Sequence, residues 1–243
     1  MNKHFFANYF SYSKNHISSF IFIFPLLLIY EMMSFLLFNN QDYIIRNSAD
    51  SILRDLFSYF FVFSSIHYYT LLFLVFLIYS LKVIKDDFSS YTIRVKYLFL
   101  MYLEGSVLGA LLLLLLNNNF LSYTVDFYDN IFLTFYLCLG AGIWEEILFR
   151  FILINLLFSM FNYIKLNKNF SFFISIIISG IVFSSFHYIG SGGDVYTHHS
   201  FIVRFLGGGI LSFIYIYRGL GVSSMTHFCY DFFLVSFPIV KII

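Results

Sequence analysis

Apolar residues in this chain fall into runs of about 20, the length a helix rising about 1.5 Å per residue needs to cross a hydrocarbon core of roughly 30 Å. The runs predict spans at 17–38, 60–81, 97–116, 130–160, 170–188, 200–217 and 220–238. Segment 49–64 opens on Asp50, Arg54 and Asp55 and reads as an interfacial helix or a short eighth span. The run 130–160 is long enough to tilt strongly or to extend past the bilayer. The expected fold is therefore all-α: a polytopic membrane protein with seven to eight transmembrane helices around a polar intramembrane site. The first run follows Lys3 and Lys14 but is too long for a signal peptide and ends at Phe38-Asn39-Asn40 without a small-residue cleavage site. It reads as a retained anchor.

Composition supports this picture. Of 243 residues 60% are hydrophobic and only 11% charged, with mean hydropathy +0.84. So few charges cannot cover a soluble surface, and the lipid bilayer must be the partner of most of it. A net charge of +1 without a basic patch argues against nucleic acid. Cys138 and Cys229 lie in apolar runs and read as small hydrophobes. Nine of the 14 basic residues fall on one side of the predicted spans and three on the other, which places the N-terminus in the cytoplasm. One membrane domain over 1–243 is the simplest organisation. Within it 1–129 reads as scaffold helices, because 11 of the 13 glycines and the most suggestive polar residues begin at Gly140 or later.

A charge inside a transmembrane helix costs about 2.5–3.5 kcal/mol on insertion scales, so such residues are functional candidates. Three clusters qualify. In Trp144-Glu145-Glu146-Ile147-Leu148-Phe149-Arg150, Glu146 and Arg150 stand at i and i+4, the favoured order for an ion pair. Glu145 lies about 100° away round an α-helix, without a partner on its own helix, and is the carboxylate free for chemistry. The second cluster is Phe183-Ser184-Ser185-Phe186-His187, at the end of an apolar run. The third is His227-Phe228-Cys229-Tyr230-Asp231, where a carboxylate one turn from an imidazole can orient it. Each cluster alone is also compatible with helix packing. Glu31, His67, Glu104 and Arg204 stand singly and read as structural. Asp194 with His198 and His199 reads as a solvated loop, Gly207-Gly208-Gly209 as close helix packing, and Ser184, Ser185, Ser223 and Ser224 lack the strand–turn–helix setting of a serine nucleophile.

The spacing Glu-Glu-x-x-x-Arg at 145–150, Phe-x-x-x-His at 183–187 and His-x-x-x-Asp at 227–231 resembles the three motifs of the CAAX protease and bacteriocin-processing (Abi) family. That family includes the type II CAAX prenyl endopeptidases. The resemblance covers about 95 residues from Gly140 to Asp231, and makes 130–243 the expected catalytic core. It implies an intramembrane glutamic endopeptidase with no cofactor and no required metal, acting on a peptide or membrane-associated protein. Glu145 would be the general base sharing a water with His187, with His227 and Asp231 at the oxyanion-stabilising positions and Glu146, Arg150 and Phe183 in support. The location implied is a bacterial inner membrane. Two positions depart from the pattern. Asp231 stands where prenyl endopeptidases have Asn, so it either orients His227 or acts protonated, and Phe151 stands where many members have Gly. Two other readings of the same residues stay open: a zinc or iron site built on Glu145, Glu146, His187, His227 and Asp231, and a non-catalytic immunity, scaffold or transporter component.

Overall fold

The computed structural model describes residues 3–39, 44–59, 92–120, 131–189 and 193–236. The predicted span 60–81, with His67, lies outside the described residues. Every regular element among those described is helical. Helices α1 (Lys3–Lys14) and α2 (His16–Phe38) follow each other closely, α2 being capped by Asn15, whose side chain accepts from Ile17 N–H at 2.8 Å. The segment after Ile45 gives α3 (Ser48–Ser58), a short helix with a polar face, and α4 (Val95–Phe120) follows. The predicted span 130–160 is one continuous helical rod in three parts: α5 (Ile131–Gly140), a π-helical stretch (Ala141–Ile154) and α6 (Asn155–Tyr163). Then come α7 (Lys168–Phe186), α8 (His198–Arg218) and α9 (Leu220–Ser236).

Four of these helices are long and apolar enough to cross a membrane by length and composition: α2, α4 over Val95–Leu116, α7 and α8. Lipid must cover much of them. On α2, Met32, Phe35 and Leu36 are 64, 66 and 73% exposed, an arrangement that only an apolar solvent tolerates in series.

Helix α9 is the axis of the bundle. Its residues Leu220–Cys229 are buried without a break, and it packs against α2, α4, α5, α8 and the π-helical stretch. Small residues permit this, since lipid gives helices no hydrophobic drive to associate and close packing has to supply the attraction. A Cβ on Gly105 or Gly109 of α4 would fall 2.5 Å from Met225 Cβ or 2.7 Å from Cys229 Cβ. One on Gly142 would fall 2.7 Å from Phe228 Cβ and 2.8 Å from the Ser224 carbonyl oxygen. The sharp turn from α8 into α9 needs Gly219, whose φ of +87° disfavours any side chain. In the glycine triplet, Gly208 meets the Phe183 ring, as close packing requires, whereas Gly209 faces open space.

The π-helical stretch departs from the α-helix the sequence predicts. Its i→i+5 pattern shifts the backbone acceptors, and side chains meet two of its carbonyls. Ser179 Oγ donates to Phe149 O at 3.1 Å, and Asn155 Nδ2 donates to Phe151 O at 2.6 Å.

Candidate functional site

The two glutamates sit in the middle of this π-helical stretch, and both are buried. Glu146 is a hub. Its Oε1 lies 2.8 Å from Arg150 Nη1 and 2.9 Å from His227 Nδ1, while Ser223 Oγ donates to its Oε2. Arg150 is fully buried; it also donates from Nη2 to Gly208 O at 3.2 Å and lies over the Phe183 ring at 4.4 Å. The i,i+4 pair expected from sequence is thus one edge of a network that ties the π-helical stretch to α8 and α9. Removing an ion pair from water is expensive, and the extra hydrogen bonds offset that cost.

Glu145 is held differently. Asn47 Nδ2 donates to its Oε1 at 2.9 Å. Its Oε2 is buried, has no hydrogen-bond partner, and lies 3.9 Å from His227 Nε2. The glutamate with no partner on its own helix therefore has one oxygen fixed and one available.

His227 stands between three carboxylates. Its Nδ1 faces Glu146, and its Nε2 lies 3.4 Å from Asp231 Oδ2 and 3.9 Å from Glu145 Oε2. Sequence spacing suggested that Asp231 orients the ring; the shorter contact is the one to Glu146. Since a carboxylate accepts, Nδ1 donates to Glu146 and the ring is fixed with Nε2 toward Glu145.

His187 caps the end of α7 and is half-buried. Its Nδ1 lies 2.9 Å from Phe183 O. A carbonyl can only accept, so Nδ1 carries the proton and the neutral ring leaves Nε2 as an acceptor. Both imidazoles pack on the Phe183 ring, at 4.9 Å for His187 and 5.8 Å for His227, and His187 is near enough to Glu145 and His227 to interact with them electrostatically. Phe183 is the shared partner of Arg150 and both histidines. Phe151, the departure after Arg150, is buried with its ring edge-on to His16 at 6.0 Å.

Three of the residues that stood singly in the sequence, Glu31, Glu104 and Arg204, have partners. Arg46 forks onto Glu31 at 2.7 and 3.0 Å and onto Asp50 at 3.0 Å, and Arg54 Nε donates to Asp50 at 2.8 Å. Glu104 receives Arg218 Nη2 at 2.7 Å and the Tyr9 hydroxyl. Burial, followed by that contact with Glu104, pushes the Tyr9 phenol well above its ordinary value. Arg204 pairs with Asp194, and Tyr196 OH bonds His198 Nδ1. Among the described residues no three His, Cys, Asp or Glu side chains group with metal-holding geometry. Sequence reasoning missed Asn47 and set Ser223 aside; a polar residue opening a predicted helix was the one available signal for Asn47.

Together, an all-helical chain with lipid-facing apolar surfaces and buried carboxylates meeting imidazoles from separate helices define an integral membrane protein with a polar intramembrane centre. Residues 127–233 match the family model described as type II CAAX prenyl endopeptidase Rce1-like, which makes this part of the chain similar to the CAAX protease and bacteriocin-processing family, a protease family. All three motifs fall within the matched residues. No curated protein and no solved structure matches the chain.

Proposed function

We propose that this protein is an intramembrane glutamic endopeptidase that hydrolyses a peptide bond in a peptide or membrane-associated protein, with Glu145 as general base. The observation that carries this is the asymmetry of the Glu145 carboxylate: Oε1 is bound by Asn47, while the buried Oε2 has no partner and faces His227 Nε2. In this reading a water binds between Glu145 Oε2 and His187 Nε2. Glu145 takes one of its protons as the water oxygen attacks the scissile carbonyl carbon. The carbonyl π-electrons move onto oxygen, and an N–H from His227 stabilises the oxyanion. When the tetrahedral intermediate collapses, the C–N bond breaks and Glu145 returns the proton to the leaving nitrogen. Glu146 and Arg150 keep the imidazole of His227 in place. In this reading His227 carries a proton on each nitrogen, Nδ1–H held by Glu146 and Nε2–H directed at the oxyanion, with Asp231, 3.4 Å from Nε2, balancing the charge of the ring. The chemistry uses no metal, and the N-terminus faces the cytoplasm, as the distribution of basic residues favours.

The test is cleavage of internally quenched peptides, one of them farnesylated on a C-terminal C-a-a-X sequence, by the full chain purified in detergent. Glu145→Gln should lower kcat by about 10²- to 10⁴-fold while the protein stays folded. A chelator should leave the rate unchanged. Wild-type turnover by Glu145→Gln, or chelator-abolished activity restored by zinc, would overturn the mechanism.

A further inference from the structure

The carboxylate proposed as the base is positioned by a residue from the other half of the chain, outside the segment that matches the family. Asn47 directly precedes α3, and its side chain does two things. Its Oδ1 accepts from Ala49 N–H at 2.9 Å, capping the helix, and its Nδ2 donates to Glu145 Oε1 at 2.9 Å. The cap decides the amide's orientation: with oxygen committed to an N–H, nitrogen must face the carboxylate.

The surroundings keep it there. Asn47 N–H donates to Tyr30 OH at 3.3 Å, and Tyr136 OH donates to Ile45 O at 2.7 Å. The two tyrosine rings are stacked at 4.6 Å and 5°. The neighbouring Arg46 is clamped between Glu31 and Asp50. The approach is close enough that a Cβ on Gly140 would fall 2.7 Å from Tyr30 Cε2 and 3.1 Å from Asn47 Cβ. A segment pinned on both sides and admitted by a glycine is a preorganised donor, and preorganisation is what a base needs to meet a water without reorganising.

We propose that Asn47 is a positioning residue for Glu145: its amide holds Oε1 and thereby leaves Oε2 aimed at the reacting water. This rests on the reading of Glu145 as the base.

The test uses the full-length chain in detergent with the same quenched peptides. Asn47→Ser and Asn47→Asp both keep an oxygen to cap Ala49 N–H, so α3 retains its start. Serine falls one bond short of Glu145, and aspartate presents an acceptor in place of the donor. Both variants should lose about 10- to 100-fold in kcat with KM unchanged. A second readout needs no turnover: the infrared difference spectrum of Asn47→Ser against wild type should contain a carboxyl band that vanishes when the pair is compared on the Glu145→Gln background. Wild-type kcat in both variants, a loss that tracks unfolded protein, or the absence of that band would overturn the assignment. If Glu145→Gln is inactive and Asn47→Ser is not, the role of Asn47 alone fails. If Glu145→Gln turns over like wild type, or wild type cleaves none of the peptides, the base itself fails and Asn47's role with it.

Discussion

Arg150→Met isolates the energetic role of the buried network. Methionine fills much of the same volume but removes the charge 2.8 Å from Glu146, the donor to Gly208 O at 3.2 Å and the cation over Phe183 at 4.4 Å. What it leaves behind sets the cost: a fully buried carboxylate whose remaining partners are Ser223 and His227. Breaking a buried pair from one side costs about 3–5 kcal/mol in soluble proteins. In a bilayer the lower end applies, because the unfolded reference also finds polar partners. Glu146→Gln removes the charge and keeps an oxygen for Ser223. In the double variant no buried charge is stranded, so its cost should fall short of the sum of the single costs by about 1.5–3 kcal/mol. Denaturant titration in a fixed micelle, followed by Trp144 fluorescence, measures all four corners of the cycle. Additivity within about 0.5 kcal/mol would refute the idea that these two residues act as one neutral brace.

Gly142→Val should be among the most destabilising single changes, at about 1–3 kcal/mol, because its Cβ would meet the Ser224 carbonyl oxygen and the Phe228 backbone nitrogen, both at 2.8 Å, and backbone atoms cannot swing aside as the end of a side chain can; the same titration reads it, and Gly209→Ala, which meets nothing, serves as its control. Asp231→Asn should keep kcat within about tenfold of wild type, since an amide at 3.4 Å from His227 Nε2 retains an acceptor, whereas Asp231→Leu should lose about 10²- to 10³-fold. Equal rates for the two Asp231 variants would remove that side chain from the reaction.

Much of this architecture was legible in the residues. The scarcity of charge dictated a lipid-solvated helical bundle, and the i,i+4 spacings placed Glu146 beside Arg150 and His227 beside Asp231. The side-chain partnerships that escaped share one cause, contacts between residues far apart in the chain. Glu31 meets Arg46 across 15 positions, Glu104 meets Arg218 across 114, and Glu145 meets Asn47 across 98. A side chain that stands alone in sequence has therefore no reason to stand alone in the fold. The π-helical turn was hidden for another reason. Nearly every position from Ile143 to Ile154 is apolar or part of the network, so no hydrophobic stripe exists whose period could betray the wider turn.

The edges of the Glu146 hub are completed at different moments of synthesis. When the rod Ile131–Tyr163 leaves the ribosome, Glu146 and Arg150 are already one turn apart and can enter the lipid as a net-neutral couple. Ser223 and His227 follow 77 and 81 residues later, so the nascent chain carries this pair through all of α7 and α8 before the remaining ligands of Glu146 exist. Asn47 precedes Glu145 by 98 residues and is waiting when the glutamate arrives. Glu145 and Glu146 thus each meet a partner on entry, and α9 then brings Ser223, His227 and Asp231 to carboxylates already held.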